Sequence, residues 1–233
     1  MRTLKVDLAE KIQALKENEY FERLDDPDLH SIADCMSLRA VERGEPLFWE
    51  GEASAGLHIV QQGSIKLYRL SPQGRQYIVR IPQEKETFNE VSVFDSGGNP
   101  VNAEALEASR VWVIAPKCLR QLVGANPDFA QKVIVNLGQN LRTLVGAVSE
   151  MAFYQVTHRL ARLIGQLPEE ELTGPAGTRL TQDQLAARLG TVREVVARSL
   201  RELERGGAIH VENRRIAIAD SQVLQQWAQG PWN

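Results

Sequence analysis

The chain has 233 residues, 43% hydrophobic and 24% charged, with a formal net charge of −3; this is an ordinary globular balance, with room for one large domain or two smaller ones. Its longest apolar runs are too short and too interrupted to span a bilayer or act as the apolar core of a signal peptide, so the cytoplasm is the expected compartment. Two cysteines, Cys35 and Cys118, are too few for a disulfide framework and lack metal-ligand spacing, and both read as buried apolar thiols.

In chain order, Leu8 to Glu17 reads as a helix, and a second follows Asp25-Asp26-Pro27, where Asp supplies the cap and Pro the first turn. From Leu38 to Ile114 short apolar runs alternate with Gly, Pro and Asn. Pro46 to Trp49, Leu57 to Val60, Ile65 to Leu70, Gln76 to Ile81, Val101 to Leu106 and Val111 to Ile114 read as strands. Strands at such short, even spacing predict an all-β sandwich or barrel of jelly-roll type.

Helical periodicity returns at Lys117 and lengthens after Asn126-Pro127-Asp128. Ala130, Ile134, Leu137, Leu141, Leu144, Val148 and Met151 alternate spacings of four and three, which keeps one narrow stripe on one face. A helix packed only on its own domain carries a wider apolar face, so the stripe from Ile134 to Met151 predicts a dimer seam. Gly138 and Gly146 interrupt it, each costing roughly 1 kcal/mol against Ala; they mark either a close backbone approach to the β domain or a ligand held there, or tolerated weak spots. A further helix, Val156 to Leu167, ends at Pro168, and Glu169 to Gly177 is expected to be a loop. The domain boundary is expected near Met151 to Gln155.

The densest signal follows. Thr181 caps a short helix whose inward residues are Leu185, Ala186 and Leu189, Gly190 ends it, and a second helix begins within about three residues. This is helix-turn-helix spacing. In the second helix Val192, Val196, Leu200 and Leu203 form the core stripe, leaving Arg193, Glu194, Ala197, Arg198 and Arg201 outward. Gly206-Gly207 stops it, and Ile209 to Val211 and Ile216 to Ile218 alternate as two strands around Asn213-Arg214. That hairpin is a wing, with Arg214 and Arg215 at its tip placed for phosphates.

An outward arginine can grip guanine bidentately and a glutamate can accept from cytosine, each good pair being worth roughly 1–3 kcal/mol of discrimination. A face built only for phosphates has no use for Glu194. The plain alternative is that Glu194 and Arg198, four apart, form an intrahelical ion pair on a solvated face. Between Arg179 and Arg215 eight arginines stand against five acids, and no lysine follows Lys132, a bias suited to bidentate recognition. An enzyme fits poorly: a cupin-like metal centre needs several histidines where the β region has only His58, and no nucleophile elbow, Walker loop or GxGxxG run occurs. A ligand-sensing β module that regulates a protein partner is the competing class, separated from DNA binding by the arginine face and the wing.

Over nearly its whole length the chain resembles the CRP/FNR family of bacterial transcription regulators. The resemblance is carried by the element order and by Gly63-Ser-Ile-Lys-Leu-Tyr-Arg, Phe88-Asn-Glu-Val-Ser-Val-Phe94, Asn126-Pro-Asp and Thr191-Val-Arg-Glu-Val-Val-Ala-Arg198. It implies an α+β chain: a jelly-roll β-roll sensor domain with flanking helices over 1–127, a dimerisation helix over 128–152, and a winged helix-turn-helix domain over 153–233. It implies Arg193, Glu194 and Arg198 as base readers of a palindromic TGTGA-like site, and Ala197, where the FNR branch carries serine, favours that half-site over the FNR-like one. Thr181, Gln182, Arg201, Arg214 and Arg215 would then contact phosphate. A homodimer on double-stranded DNA, no membrane, and RNA polymerase touched through the segment Glu169 to Gly177 complete the expected partners.

The sensor end departs from the family. Cyclic-nucleotide binders follow a Gly-Glu pair with an Arg-Ser pair that holds the cyclic phosphate; here Asn89-Glu90 leads to Val101-Asn102, and no arginine occurs from Ile81 to Ser109. An unpaired buried phosphate would cost several kcal/mol. Leu144 and Val145 stand where cyclic-AMP binders present hydroxyls to the adenine, so the expected effector pocket of Asn89, Glu90, Val101, Asn102, Leu141, Leu144 and Val145 is apolar on its helical side. Cyclic AMP is therefore not the expected effector, although Glu90 keeps the family's ribose-binding carboxylate. Two cysteines exclude the four-cysteine iron-sulfur cluster of the FNR branch. Haem through His30, His58, His158 or His210, an apolar small molecule, a thiol switch through Cys35 or Cys118, and an effector-independent regulator all stay open.

Overall fold

The computed structural model describes residues 1–175 and 178–230. They fall into two compact units, Met1–Arg69 with Val79–Arg142, and Leu70–Ile78 with the chain from Thr143 onward.

The first unit opens with β1 (Arg2–Leu4), α1 (Leu8–Lys16) and α2 (Asp26–Asp34). The two helices start where the sequence says they must: Asp7 accepts from the Glu10 amide at 2.8 Å and Asp25 from the Asp28 amide at 2.9 Å. The strands β2 (Met36–Val41), β3 (Pro46–Phe48), β4 (Leu57–Gln62), β5 (Ile65–Leu70), β6 (Gln76–Arg80), β7 (Thr87–Phe88), β8 (Asn102–Ala105) and β9 (Ser109–Ile114) build two antiparallel sheets. Their orders are β1-β2-β9-β4-β7 and β3-β8-β5-β6. On β9, Trp112 and Ile114 face the helices while Val111 faces the space between the sheets, the two-residue alternation of a strand buried on both sides. Trp112 lies opposite both Leu38 on β2 and Ile59 on β4.

Two cores result. One packs Leu15, Phe21, Leu29 and Ile32 against Trp112, Ile114, Leu119 and Phe129; the other fills the roll with Val41, Phe48, Val60, Ile65, Phe88 and Val111. The β region also contains α3 (Glu90–Phe94), which the strand-like sequence Val-Ser-Val-Phe conceals. Five residues are too few for a helical period to register, and Asn89 enters it at φ 73°, a left-handed turn that asparagine tolerates better than most residues.

After α4 (Pro116–Ala125), α5 runs unbroken over Pro127–Phe153. Its beginning is fixed by Asn126, whose side chain accepts from the Phe129 amide at 3.0 Å. Phe129 and Val133 are buried and Leu137 packs partly against the same core, but Ile134, Leu141, Leu144, Val145, Val148 and Met151 are exposed. Among the described residues, a Cβ at Gly138 or at Gly146 would meet nothing within 4 Å.

The second unit holds α6 (Val156–Gln166), α7 (Glu169–Thr173), α8 (Gln182–Leu189), α9 (Arg193–Arg205), the hairpin of β10 (Ile209–Glu212) and β11 (Arg215–Ile218), and α10 (Ser221–Gln229). Helix α7 corrects the expected loop: a run of three glutamates behind Pro168 forms a helical turn that buries Leu172, and Gly177 lies outside the described residues. Helix α10 also goes unmarked by periodicity; Asp220 caps it through the Gln222 and Val223 amides, and it packs on α6.

The cysteines correct a second expectation. Cys35 and Cys118 are joined by a disulfide, with 6.5 Å between their Cα atoms and a sequence separation of 83. Neither is fully buried. Sequence spacing cannot reveal this pair, because the β-roll that separates the two cysteines returns β9 beside β2 and so brings them together.

Candidate nucleic-acid interface

The turn between α8 and α9 is built by local rules. Thr181 and Gln184 form a reciprocal capping box, with the Thr181 amide donating to Gln184 Oε1 at 2.8 Å and the Gln184 amide to Thr181 Oγ1 at 3.2 Å. Gly190 closes α8 at φ 65°, a conformation that side chains resist. Behind the turn Leu185, Leu189, Val196, Leu200 and Leu203 join Leu160, Ile164, Ile209 and Ile216 in one core.

That core fixes which face of α9 points out. Arg193, Glu194, Arg198 and Arg201 are exposed, and a groove is lined by Arg198, Arg201, Glu202 and Arg205. Among the described residues no ion pair within 4.0 Å joins Glu194 to Arg198; Arg193 instead approaches Asp183 at 3.9 Å. Val192, expected in the core stripe, is the half-buried N-cap of α9, outside the core cluster. The buried place is taken by Ser199, whose hydroxyl lies 2.9 Å from Thr157 Oγ1, which in turn donates to Glu202 Oε2 at 2.8 Å. A serine on an otherwise apolar stripe is the sequence signal for this polar lock between α6 and α9. Arg159, also unforeseen, donates to the Leu189 carbonyl at 3.0 Å and steadies the end of α8.

In the wing, Ile209 pairs with Ile218 and Glu212 with Arg215. The two turn residues, Asn213 and Arg214, have φ of 50° and 63°, as a tight two-residue hairpin turn requires. Glycine is the residue usually found in the second position; an arginine there accepts backbone strain while keeping a guanidinium at the tip. Thr181, Arg214 and Arg215 are exposed and Gln182 is half-buried.

The residues of the first unit expected to line an effector pocket are arranged differently. Asn89, Glu90 and Asn102 are all buried. Asn102 Nδ2 donates to the Tyr68 carbonyl at 3.2 Å and its Oδ1 accepts from the Glu50 amide at 3.0 Å. Asn89 Nδ2 donates to the Gly56 carbonyl and to Asn99 Oδ1, each at 3.0 Å, and Glu90 Oε1 accepts from Thr87 Oγ1 at 2.6 Å. These contacts stitch the roll together. Val101 is half-buried, and Leu141, Leu144 and Val145 are exposed on α5.

Of the histidines, His30 and His210 are exposed, and His158 is buried with Nδ1 2.9 Å from the Trp227 carbonyl. His58 is buried too, stacked 4.8 Å from Phe88 and tilted against Phe48, with Nδ1 2.9 Å from the Gly56 carbonyl. Burial pushes its pKa down from 6.5 to about 4. The unfolded chain therefore binds this proton at higher pH than the folded one. The stability associated with neutral His58 is fully present above pH 6.5 and is lost as pH falls toward 4, by about 3 kcal/mol in total. Urea midpoints at pH 7, 5.5 and 4.5 should fall progressively, and His58→Asn should flatten that slope; an unchanged slope removes His58 as its source.

Among the described residues no group of three or more His, Cys, Asp or Glu is placed to hold a metal ion, and no helix is long and apolar enough to cross a membrane. A family model for the cyclic nucleotide-binding domain matches residues 38–126, and one for the Crp-like helix-turn-helix domain matches 158–227. A CRP-like cAMP-activated global transcriptional regulator of Mycobacterium tuberculosis is 28% identical over 192 residues, covering 80% of this chain and 86% of the relative. A cyclic AMP receptor protein of Thermus thermophilus is 24% identical over 216 residues, covering 93% and 99%.

In fold, the chain is similar to a crp/fnr-family regulator from Eubacterium rectale (TM-score 0.78, 19% identity, 92% of this chain and 100% of that one). It is also similar to the c-di-GMP responsive global regulator of Xanthomonas campestris (TM-score 0.70, 22% identity, 84% and 100%). With a cyclic nucleotide-binding domain and a Crp-like helix-turn-helix domain in a single polypeptide, the chain belongs to the CRP/FNR family, whose members are transcription regulators and not enzymes.

Proposed function

We propose that the chain works in the cytoplasm as a homodimer, paired along the exposed stripe of α5, and reads a palindromic TGTGA-like site. The two copies of α9 would enter successive major grooves about 34 Å apart. Arg193, Glu194 and Arg198 take the base edges, while Thr181, Gln182, Arg201, Arg214 and Arg215 hold phosphate. The carrying observation is the division of α9 itself: guanidinium and carboxylate groups outward, Val196, Ser199, Leu200 and Leu203 buried behind them. The strained φ of Arg214 supports a role for the wing tip that glycine could not fill. Residues 1–127 act as sensor, 128–152 as dimer helix and 153–233 as reading head, with RNA polymerase contacted near α7.

The relatives named as cAMP-activated do not carry cyclic AMP over to this chain. The amide of Asn102 is committed to Tyr68 and Glu50, Glu90 to Thr87, and no arginine lies between Ile81 and Ser109. These residues do not fit a cyclic phosphate, whose charge would be left unpaired. An effector of other chemistry would act by shifting the population between two packings of the paired α5 helices.

Binding-site selection tests the assignment. Arg198→Ala should relax preference at one base pair, at a cost of about 1–3 kcal/mol there, whereas Arg214→Ala should weaken all sequences alike and lower the salt dependence. Equal effects from both would overturn the assigned roles.

A further inference from the structure

We propose that Cys35 and Cys118 are a reversible thiol–disulfide modification site whose two states set how firmly α4 holds α3. The setting is a corner of the first unit. Cys35 ends α2 just before β2, and Cys118 lies in the first turn of α4 just after β9; the Ala115 amide donates to the Cys35 carbonyl at 3.2 Å across the same corner. Both cysteines are partly exposed, so a small thiol can reach the bridge without unfolding the core. The 6.5 Å Cα separation lies within the range that a disulfide spans without backbone movement.

What the bridge holds gives it a consequence. Two residues beyond Cys118, Arg120 donates from Nε to the Val93 carbonyl at 2.6 Å and from Nη2 to the Ser92 carbonyl at 3.5 Å. These carbonyls lie in the last turn of α3, the helix that begins at Asn89-Glu90. At its other end α4 runs into Asn126, whose Nδ2 donates to Asp28 Oδ2 on α2 at 2.8 Å and whose Oδ1 caps α5. Helix α4 is thus clamped to α2 covalently at its start and by one hydrogen bond at its end, and it carries the tether of α3 and the origin of α5.

The chemistry is exchange with a low-molecular-weight disulfide of the glutathione class. The Cys118 thiolate attacks one sulfur of the small disulfide and expels one small thiolate; Cys35 then attacks the mixed disulfide at Cys118 and expels the second. Two protein thiols lose two electrons to the small disulfide, which becomes two small thiols and takes up the two protons. The order follows from helix ends: negative charge develops more readily on Cys118, at the positive end of α4, than on Cys35, at the negative end of α2. A disulfide in a protein that works on DNA in a reducing compartment is expected to be transient and regulatory; this last point rests on the DNA-reading function, the geometry does not.

The test uses the full chain equilibrated in reduced and oxidised glutathione, with alkylation and mass analysis, and hydrogen exchange on both forms. The bridge should open and close completely while the chain stays folded, and reduction should speed amide exchange in 90–94 and 116–125 at least tenfold. Cys35→Ser should trap glutathione on Cys118, and Cys118→Ser should trap less on Cys35. A bridge that opens only on unfolding, or exchange rates equal in the two forms, overturns the proposal whatever the variants do. DNA affinity of the two forms at fixed salt should differ at least fivefold and equal affinities would sink the link to DNA; absence of binding in both forms would instead sink the DNA-reading function, leaving the alkylation and exchange results to decide the redox site.

Discussion

Leu144→Glu should convert the chain from dimer to monomer at micromolar concentration, read by sedimentation equilibrium, and weaken binding to a palindromic site by roughly 100- to 10,000-fold, the range set by losing the second, tethered reading head. Ile134, Leu141 and Val148 are spaced seven apart, as are Leu137, Leu144 and Met151, the repeat of a paired-helix seam. In the single chain Leu144 is 55% exposed, so the substitution removes little from the monomer's own packing. In a paired helix it would set two carboxylates against each other in an apolar seam. Leu144→Ile should remain dimeric. A Leu144→Glu protein that stays dimeric and binds normally would move the seam elsewhere.

The second large effect is expected at Leu203→Ala. Leu203 is 0% exposed, within the core that sets the outward face of α9. Truncating a buried leucine costs roughly 2–5 kcal/mol, and for a domain of about this size each kcal/mol lowers the melting point by roughly 4–8 °C. The transition of the winged-helix unit should therefore fall well below that of the β-roll, whose cores share no residue with it. DNA binding should be lost at temperatures where the roll remains folded by hydrogen exchange. A single unshifted transition would mean that Leu203 does not anchor the reading helix.

Capped helices were the most legible part of the fold. Asp25, Thr181 and Gly190 act within one turn of the chain, so their effect is written in neighbouring residues. Most strands of the roll were legible as short apolar runs, but β2 and β7 lie outside the runs read as strands. Elements without a period of their own were not: β1 is three residues paired to β2, α3 is five, and α7 buries one leucine. The outward set of Arg193, Glu194 and Arg198 could be read from the stripe opposite them, whereas Val192 falls outside the core that its place in the stripe predicts and Ser199, which the stripe does not include, is buried. Burial at the start of α9 depends on the angle at which the helix leaves the turn, and helical period alone does not specify that angle.

From the amino-acid order alone come the reading helix, the wing and the exposed apolar ridge of α5, since each is a pattern of side chains repeating along one element. Only the folded chain decided that Cys35 meets Cys118, that Asn89, Asn99 and Asn102 spend their amides on the roll, and that His58 sits dry between aromatic rings. Those features join residues far apart in sequence. They arise because closing a β-roll brings distant strands side by side and excludes water between them, which favours a partner for a trapped polar group and loss of charge for a trapped ionisable one.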